Sequence, residues 1–134
     1  MTTDTELLTL ARTAATHAYA PYSKFSVGSA IRMTDGTIYS GCNVENASYG
    51  LTICAERNGI TTMIAATDSP EQRAIDTVAI VSLNATNCWP CGACLQVLRE
   101  FHCRRVIVED PAGQPTTVLF DDLLPYSFGP EHIA

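Results

Sequence analysis

The chain of 134 residues carries 14 acidic and 8 basic side chains, for a formal net charge of −6 at pH 7. This length predicts a single domain over residues 1–134, and the acidic balance argues against a nucleic-acid partner, which would need a basic stripe. No apolar run reaches the length of a membrane span, and the acidic start is unlike a secretory signal. We therefore expect a cytoplasmic protein with no membrane partner, whose six cysteines are reduced or bind a metal.

Helical and strand patterns alternate along the chain. The predicted elements are helix 4–19 with a Thr3/Glu6 capping box, strands 25–33 and 37–42 joined by an Asp35-Gly36 turn, helix 54–66, strand 77–81, helix 91–102, strands 105–109 and 116–120, and a last short helix capped by Asp121. Strand 77–81 is almost wholly apolar, which is typical of a strand covered on both faces. The turn at 111–114 is too short for a crossover, so the last two strands should be antiparallel. The order predicts an α/β fold, with three α-β-α layers around a five-stranded mixed sheet.

One glycine interrupts the first predicted strand. Gly28 lies among residues that alternate with a period of two from Phe25 onward. A glycine inside a strand marks either a bulge or a place where a ligand approaches the backbone. Both interpretations stay open from the sequence.

Two short segments carry the residues of a metal site, Cys-Ala-Glu-Arg at 54–57 and Pro-Cys-Gly-Ala-Cys at 90–94. Both open predicted helices that follow strands, so their N-termini can converge, and helix starts favour thiolates. Three ligands, Cys54, Cys91 and Cys94, would leave the fourth zinc position for water, as in catalytic zinc sites. Arg57 can donate to the thiolates and tune the metal. Glu56 can reach the same site only if Cys54 stands at the helix entry, outside regular helical geometry.

Other interpretations of the cysteines need weighing. The Cys-x-x-Cys pair after Trp89-Pro90 is also typical of a redox dithiol, although such a pair has no use for a distant Cys-x-Glu. A structural zinc needs a fourth protein ligand, and the candidate imidazoles of His17, His102 and His132 are not at paired spacing with any cysteine. The remaining thiols suit small core positions, with Cys88 near enough to the site to be a spare thiol; they are Cys42, Cys88 and Cys103.

The two cysteine segments resemble those of the zinc-dependent nucleobase deaminases. Segments 22–28, 41–52 and 123–130 are similar to the small homotetrameric cytidine deaminases, so that the resemblance runs nearly from end to end. It implies one Zn²⁺ per subunit held by the three cysteines. It also implies that Glu56 is the catalytic proton shuttle, and that the protein is a homotetramer with active sites shared between subunits.

The resemblance also implies substrate-binding roles. Asn43 and Glu45 would hydrogen-bond the ribose hydroxyls, Phe25 would pack against the pyrimidine, and the backbone N–H of Ala55 would bind the base carbonyl. Two aromatic side chains, Phe128 and Tyr49, would reach the pocket of a neighbouring subunit.

The implied activity is hydrolytic deamination of cytidine and deoxycytidine, with release of ammonia, in pyrimidine salvage. Glu56 would act first as base and then as acid. Trp89 stands where the family usually has a small residue. The indole is either a plain packing change or, as we hypothesise, a change in the wall facing the departing amine that alters tolerance for substituents on N4 of cytosine. One alternative is a deaminase of another cytosine-type compound, such as an N4-modified cytidine or a nucleoside antibiotic. A second is an RNA or DNA editor, which the acidic balance disfavours. A third is a non-catalytic zinc or redox module.

Overall fold

The computed structural model describes residues 1–133. Its elements are α1 (Asp4–Ala15), β1 (Val27–Met33), β2 (Ile38–Cys42), α2 (Ala55–Ala65), β3 (Ile75–Ser82), α3 (Gly92–Glu100), β4 (Arg105–Glu109), β5 (Pro115–Leu119) and α4 (Phe120–Leu123), with single 3-10 turns at Tyr49–Leu51, Pro70–Arg73 and Pro130–His132. The strands form one sheet in the order β2-β1-β3-β4-β5, in which only β3 and β4 run parallel. The expected α/β fold with a five-stranded mixed sheet is confirmed. None of the helices is long and apolar enough to cross a membrane.

The sheet is covered on both faces, which explains the continuous apolar run in β3. On one face, α1 buries Leu7 and Ala11 against Ala79 and Ile107. On the other face, α2 and α3 bury side chains such as Leu98 in a larger cluster. The helices that carry the cysteine segments therefore share one face of the sheet, while α1 occupies the opposite face.

Several predicted boundaries were wrong. Strand β1 begins at Val27 instead of residue 25, β3 begins at Ile75 instead of residue 77, and α3 ends at Glu100 instead of residue 102. Helix α1 ends at Ala15 instead of residue 19, because the next residues form tighter i→i−3 bonds and the N–H of Tyr19 donates to the carbonyl of Asn43 at 3.0 Å. Asp121 does not cap α4, because the helix already begins at Phe120 and Asp121 lies within its first turn. There its negative charge still faces the favourable end of the helix dipole.

Gly28 marks neither a bulge nor a ligand. A Cβ at this position would lie 2.9 Å from the Cα of Ala15 in α1, and closer still to the carbonyl oxygen of Ala11. The irregularity in the strand lies further on, between Arg32 and Met33. The glycine is required because α1 packs its backbone directly on β1.

A second backbone contact joins the start of α2 to β2 on the opposite face. A Cβ on Gly41 would lie 2.5 Å from the carbonyl oxygen of Ala55 and 2.9 Å from the Cα of Gly59. The buried hydroxyl of Ser29 donates to that same Ala55 carbonyl at 2.8 Å. These contacts fix the height and rotation of the first turn of α2, where the functional residues begin.

Candidate active site

Three thiols converge where α2 and α3 begin. The Sγ atoms of Cys54, Cys91 and Cys94 lie within 4.8 Å of one another, and those of Cys54 and Cys91 are 3.8 Å apart. A tetrahedral zinc with Zn–S bonds of about 2.3 Å would separate its sulfur ligands by about 3.8 Å, so the spacing fits zinc. Within residues 1–133 no histidine, carboxylate or further thiol joins this cluster. Such a donor set leaves one coordination position for a non-protein ligand.

The local backbone explains how the thiols and Glu56 face one site. Cys54 precedes α2 with extended dihedrals (φ −71°, ψ 158°), and Cys91 precedes α3 in nearly the same conformation. Cys54 thus stands at the helix entry, the condition under which Glu56, two residues later, can reach the same site. Both Cys54 and Glu56 line one cavity.

The environment of Cys54 favours its thiolate. The pKa of Cys54 is lowered to about 5, because the thiol of Cys94 hydrogen-bonds to its sulfur and the guanidinium of Arg57 donates to it at 3.5 Å. The same interaction, together with burial, raises the pKa of Cys94. The Nε of Arg57 is buried and has no hydrogen-bond partner among the described residues. Arg57 therefore contributes positive charge beside sulfur atoms that bind metals as thiolates.

Glu56 is the second residue of α2 and is only 4% exposed. Burial raises the pKa of its carboxyl to about 7, and the negative charge of the Cys54 thiolate adds to the effect. A carboxyl with a pKa near the working pH can both accept and deliver a proton, which general acid–base catalysis requires.

The cavity of about 420 Å³ beside the thiols brings most of the expected residues together. It is lined by the expected Phe25, Asn43, Glu45, Cys54, Ala55, Glu56 and Cys91, by Cys88 and Trp89, which the sequence analysis had placed near the site, and by the unexpected Ser23, Val27 and Thr52. This volume is in the range of small-molecule sites. A larger cavity of about 640 Å³ lies between the end of α3 and residues 121–127 and contains none of the expected residues.

Asn43 and Glu45 line the same cavity and are held in place by hydrogen bonds to residues 23–27. The side chain of Asn43 accepts from the N–H of Val27 at 2.9 Å and donates to the carbonyl of Phe25 at 2.8 Å. One lone pair and one N–H of its amide remain for a ligand. The carboxylate of Glu45 accepts from the N–H of Ser23 at 3.1 Å and from the Ser23 hydroxyl, which lowers its pKa. Glu45 is therefore an ionised, oriented acceptor.

Two of the expected substrate-binding residues stay outside this cavity. Tyr49 is 73% exposed and packs its ring 5.7 Å from that of Tyr22, beside a smaller adjoining cavity. Phe128 is 57% exposed and stacks on His132 at 5.3 Å. Neither aromatic side chain lines the cavity that contains the thiols.

Ser23 and Ser29 contribute to the site in ways that the sequence analysis missed. Ser29 is a polar residue within a buried strand and bonds to the Ala55 carbonyl, while Ser23 orients Glu45. A hydroxyl at an inward strand position is a signal that could have revealed Ser29, since buried polar groups need partners. No comparable pattern in the sequence indicated Ser23.

Comparison with known proteins decides the family. Residues 1–110 match the family model described as the cytidine and deoxycytidylate deaminase zinc-binding region. The chain belongs to this family. A cytidine deaminase of Sporosarcina psychrophila is 37% identical over 132 residues, covering 96% of this chain and 93% of the relative. One of Mycobacterium tuberculosis is 40% identical over 116 residues, covering 87% of this chain and 82% of the relative.

Solved structures agree with this assignment. The crystal structure of cytidine deaminase from Burkholderia pseudomallei superposes with a TM-score of 0.85 at 40% identity, covering 95% of this chain and all of that one. The structure of the Mycobacterium tuberculosis enzyme gives a TM-score of 0.79 at 36% identity, covering 96% of this chain and 99% of that one. The family match confirms the zinc that the cysteine pattern predicted. It also rules out the interpretation of the chain as a redox module.

Proposed function

We propose that this protein is a zinc-dependent hydrolase that converts cytidine and deoxycytidine to uridine and deoxyuridine with release of ammonia. The observation that carries the proposal is the buried carboxyl of Glu56 in one cavity with Cys54 and Cys91 of the three-thiol cluster and with Asn43 and Glu45. Relatives that match over most of their length are named cytidine deaminases. Pyrimidine salvage in the cytoplasm is the setting we infer for this reaction.

Cys54, Cys91 and Cys94 would hold the metal. A zinc ion bound there would acidify a water molecule and present it for attack on C4 of cytosine. Glu56 takes the proton of that water and delivers it to N3 of the ring, which makes C4 more electrophilic. It then carries a second proton to the amino group, so that ammonia leaves and one carboxyl serves as base and as acid.

Other residues that line the cavity can orient the substrate. Ala55 opens α2, and the N–H of a first helical residue has no intrahelical acceptor, so it can bind the base carbonyl. The free amide positions of Asn43 and the ionised carboxylate of Glu45 suit ribose hydroxyls. Phe25 would pack against the pyrimidine ring. A substrate without the sugar would leave Asn43 and Glu45 without their ligands.

We also propose a homotetramer whose active sites are shared between subunits. The exposure of Phe128 and Tyr49 supports this proposal, because neither ring contacts the cavity of its own chain. Phe128 lies near the C-terminus, where an exposed aromatic ring suits insertion into a neighbouring copy of the chain. Burying these rings between subunits would also add apolar contact to a small chain with few charged residues.

The test is an absorbance assay on cytidine, deoxycytidine, free cytosine and cytidine monophosphate, combined with zinc analysis. We expect turnover of the two nucleosides by the unmodified protein, and at least a thousandfold lower kcat for Glu56→Gln with zinc content unchanged. Glu100→Gln, which changes an exposed carboxyl at the end of α3, is the matched control and should keep full activity. Normal turnover by Glu56→Gln, or no conversion of either nucleoside by the unmodified protein, would refute the assignment.

A further inference from the structure

The only tryptophan of the chain forms part of the wall beside the thiol cluster. Trp89 belongs to the segment that joins β3 to α3 and ends at Cys91. Cys88, Trp89 and Cys91 all line the active-site cavity. The side chains of this segment therefore form one part of the cavity wall beside the thiols.

The backbone of this segment is anchored. The N–H of Asn87 donates to the carbonyl of Glu109 in β4 at 2.8 Å, and the N–H of Trp89 donates to the carbonyl of Asn87 at 3.0 Å. Asn87 has a left-handed conformation (φ 51°), which asparagine tolerates better than most residues. Cys88 packs against the main core and Pro90 is buried. The indole thus projects from a fixed base and not from a free loop.

The indole lies at the rim of the cavity. A residue that limits the depth of a pocket is packed on all sides, whereas Trp89 is 37% exposed. In the single chain it therefore presents exposed apolar aromatic surface to the cavity that Cys54 and Cys91 also line.

The chemistry identifies that group, on the basis of the proposed function. C4 of cytosine must lie at the thiol cluster and Glu56, because the bond from C4 to the exocyclic nitrogen N4 is the one that breaks. Any substituent on N4 begins two bonds from C4, among the side chains that line the cavity together with the thiols, and Trp89 is one of these. We propose that Trp89 is a specificity-determining residue whose indole contacts N4 substituents, so that the enzyme accepts N4-alkyl and N4-acyl cytidines.

The reaction on such substrates balances without a further reactant. The oxygen of water bonds to C4, and the C4–N4 bond breaks. One proton of the water ends on N3 of the product uridine, and the other ends on the departing nitrogen. The second product is an amine from an N4-alkyl substrate and a primary amide from an N4-acyl substrate.

The experiment measures kcat/KM for N4-ethylcytidine and N4-acetylcytidine relative to cytidine. We expect the unmodified protein to convert all three, and Trp89→Ser to lower both ratios about tenfold, since two carbon-sized groups lose their apolar contact. Trp89→Phe keeps an aromatic face and should retain most of each ratio. Leu83→Ser removes an exposed apolar side chain at the end of β3 that does not line the cavity, and should leave the ratios unchanged.

Thermal unfolding of each variant separates a folding defect from a change in specificity, and Trp89→Phe keeps the test informative if Trp89→Ser does not fold. Ratios that stay constant in Trp89→Ser, or that rise because the indole had obstructed the substituent, would overturn the proposal. Conversion of cytidine but of neither substituted nucleoside by the unmodified protein would also overturn it. Failure to convert cytidine at all would instead refute the proposed function on which it rests.

Discussion

The contact between β2 and α2 offers a direct test of how the fold positions the catalytic carboxyl. In Gly41→Ala, the new methyl group would lie 2.5 Å from the Ala55 carbonyl oxygen, whereas ordinary van der Waals contact begins at 3.4 Å. Because the atoms on both sides belong to the backbone, no side chain can turn away to relieve the overlap. The first turn of α2 must therefore move by about 1 Å.

The expected loss of activity follows from what moves and what does not. Cys54 and Glu56 shift with α2, whereas Cys91 and Cys94 are held by α3. A misplacement of about 1 Å can cost roughly a hundredfold in rate, so we expect kcat/KM on cytidine to fall about that much. The overlap itself should cost about 1–3 kcal/mol in the free energy of unfolding, which lowers the unfolding midpoint by about 4–12 °C.

The control is Leu7→Ala, which removes a fully buried side chain between α1 and the opposite face of the sheet. It should lower the free energy of unfolding by about 2–5 kcal/mol but leave kcat/KM of the folded protein within about threefold, since none of the residues in its core cluster lines the cavity. The assay is initial-rate deamination at a temperature well below both midpoints, with circular dichroism to check the fold. Equal activity losses in the two variants, or full activity in a folded Gly41→Ala, would refute the argument that this contact positions the site.

Three further predictions concern single side chains. Ser23→Ala should raise KM for cytidine at acidic pH more than at pH 7. The hydroxyl of Ser23 keeps the pKa of Glu45 below its ordinary value, so its loss lets Glu45 become protonated at higher pH. KM measured against pH checks this, and a variant profile parallel to that of the unmodified protein would contradict it. Arg57→Gln should weaken zinc retention against a chelator by about 10- to 100-fold, since Arg57 no longer donates to the Cys54 sulfur; unchanged retention would argue against that role. Arg32→Met should lower the free energy of unfolding at pH 7 by about 2–4 kcal/mol, because it removes the buried partner of Asp76. Asp76 has a lowered pKa in the folded protein and becomes protonated below about pH 4. Urea titrations should therefore show that the difference in stability from the unmodified protein shrinks below that pH.

The sequence predicted most of the fold because its elements are marked by local patterns. The two-residue period, the turn at Asp35-Gly36 and the apolar run of β3 each specify an element without reference to distant parts of the chain. The errors arise where tertiary contacts decide. Residues 16–19 continue the helical pattern of α1, yet Tyr19 leaves the helix to bond the carbonyl of Asn43. Gly28 could not be interpreted either, since the reason for it is a helix that precedes it by more than ten residues.

The residues of the candidate site also separate into those that local sequence patterns identify and those that only tertiary contacts reveal. Residues with the rarest chemistry, such as Cys54, Cys91 and Cys94, could be selected from the sequence because their spacing from helix starts limits what they can do. The residues that orient them could not, since their partners are remote: Ser29 acts on the carbonyl of Ala55, 26 residues away. The role of Trp89 in the cavity wall depends equally on where its segment is anchored to β4.

The pKa of Glu56 shows why the sequence and the folded structure are both needed to explain the site. A glutamate two residues after a cysteine has no special acidity in an isolated peptide, and within a regular helix the two side chains would point to different faces. Here Cys54 is extended while Glu56 is helical, so both face the cavity, and packing of α2 on the sheet leaves the carboxyl only 4% exposed. That burial is the main reason its pKa rises to about 7. The proton-carrying capacity of Glu56 is thus a property of how α2 is seated on β1 and β2, which is what the Gly41→Ala experiment perturbs.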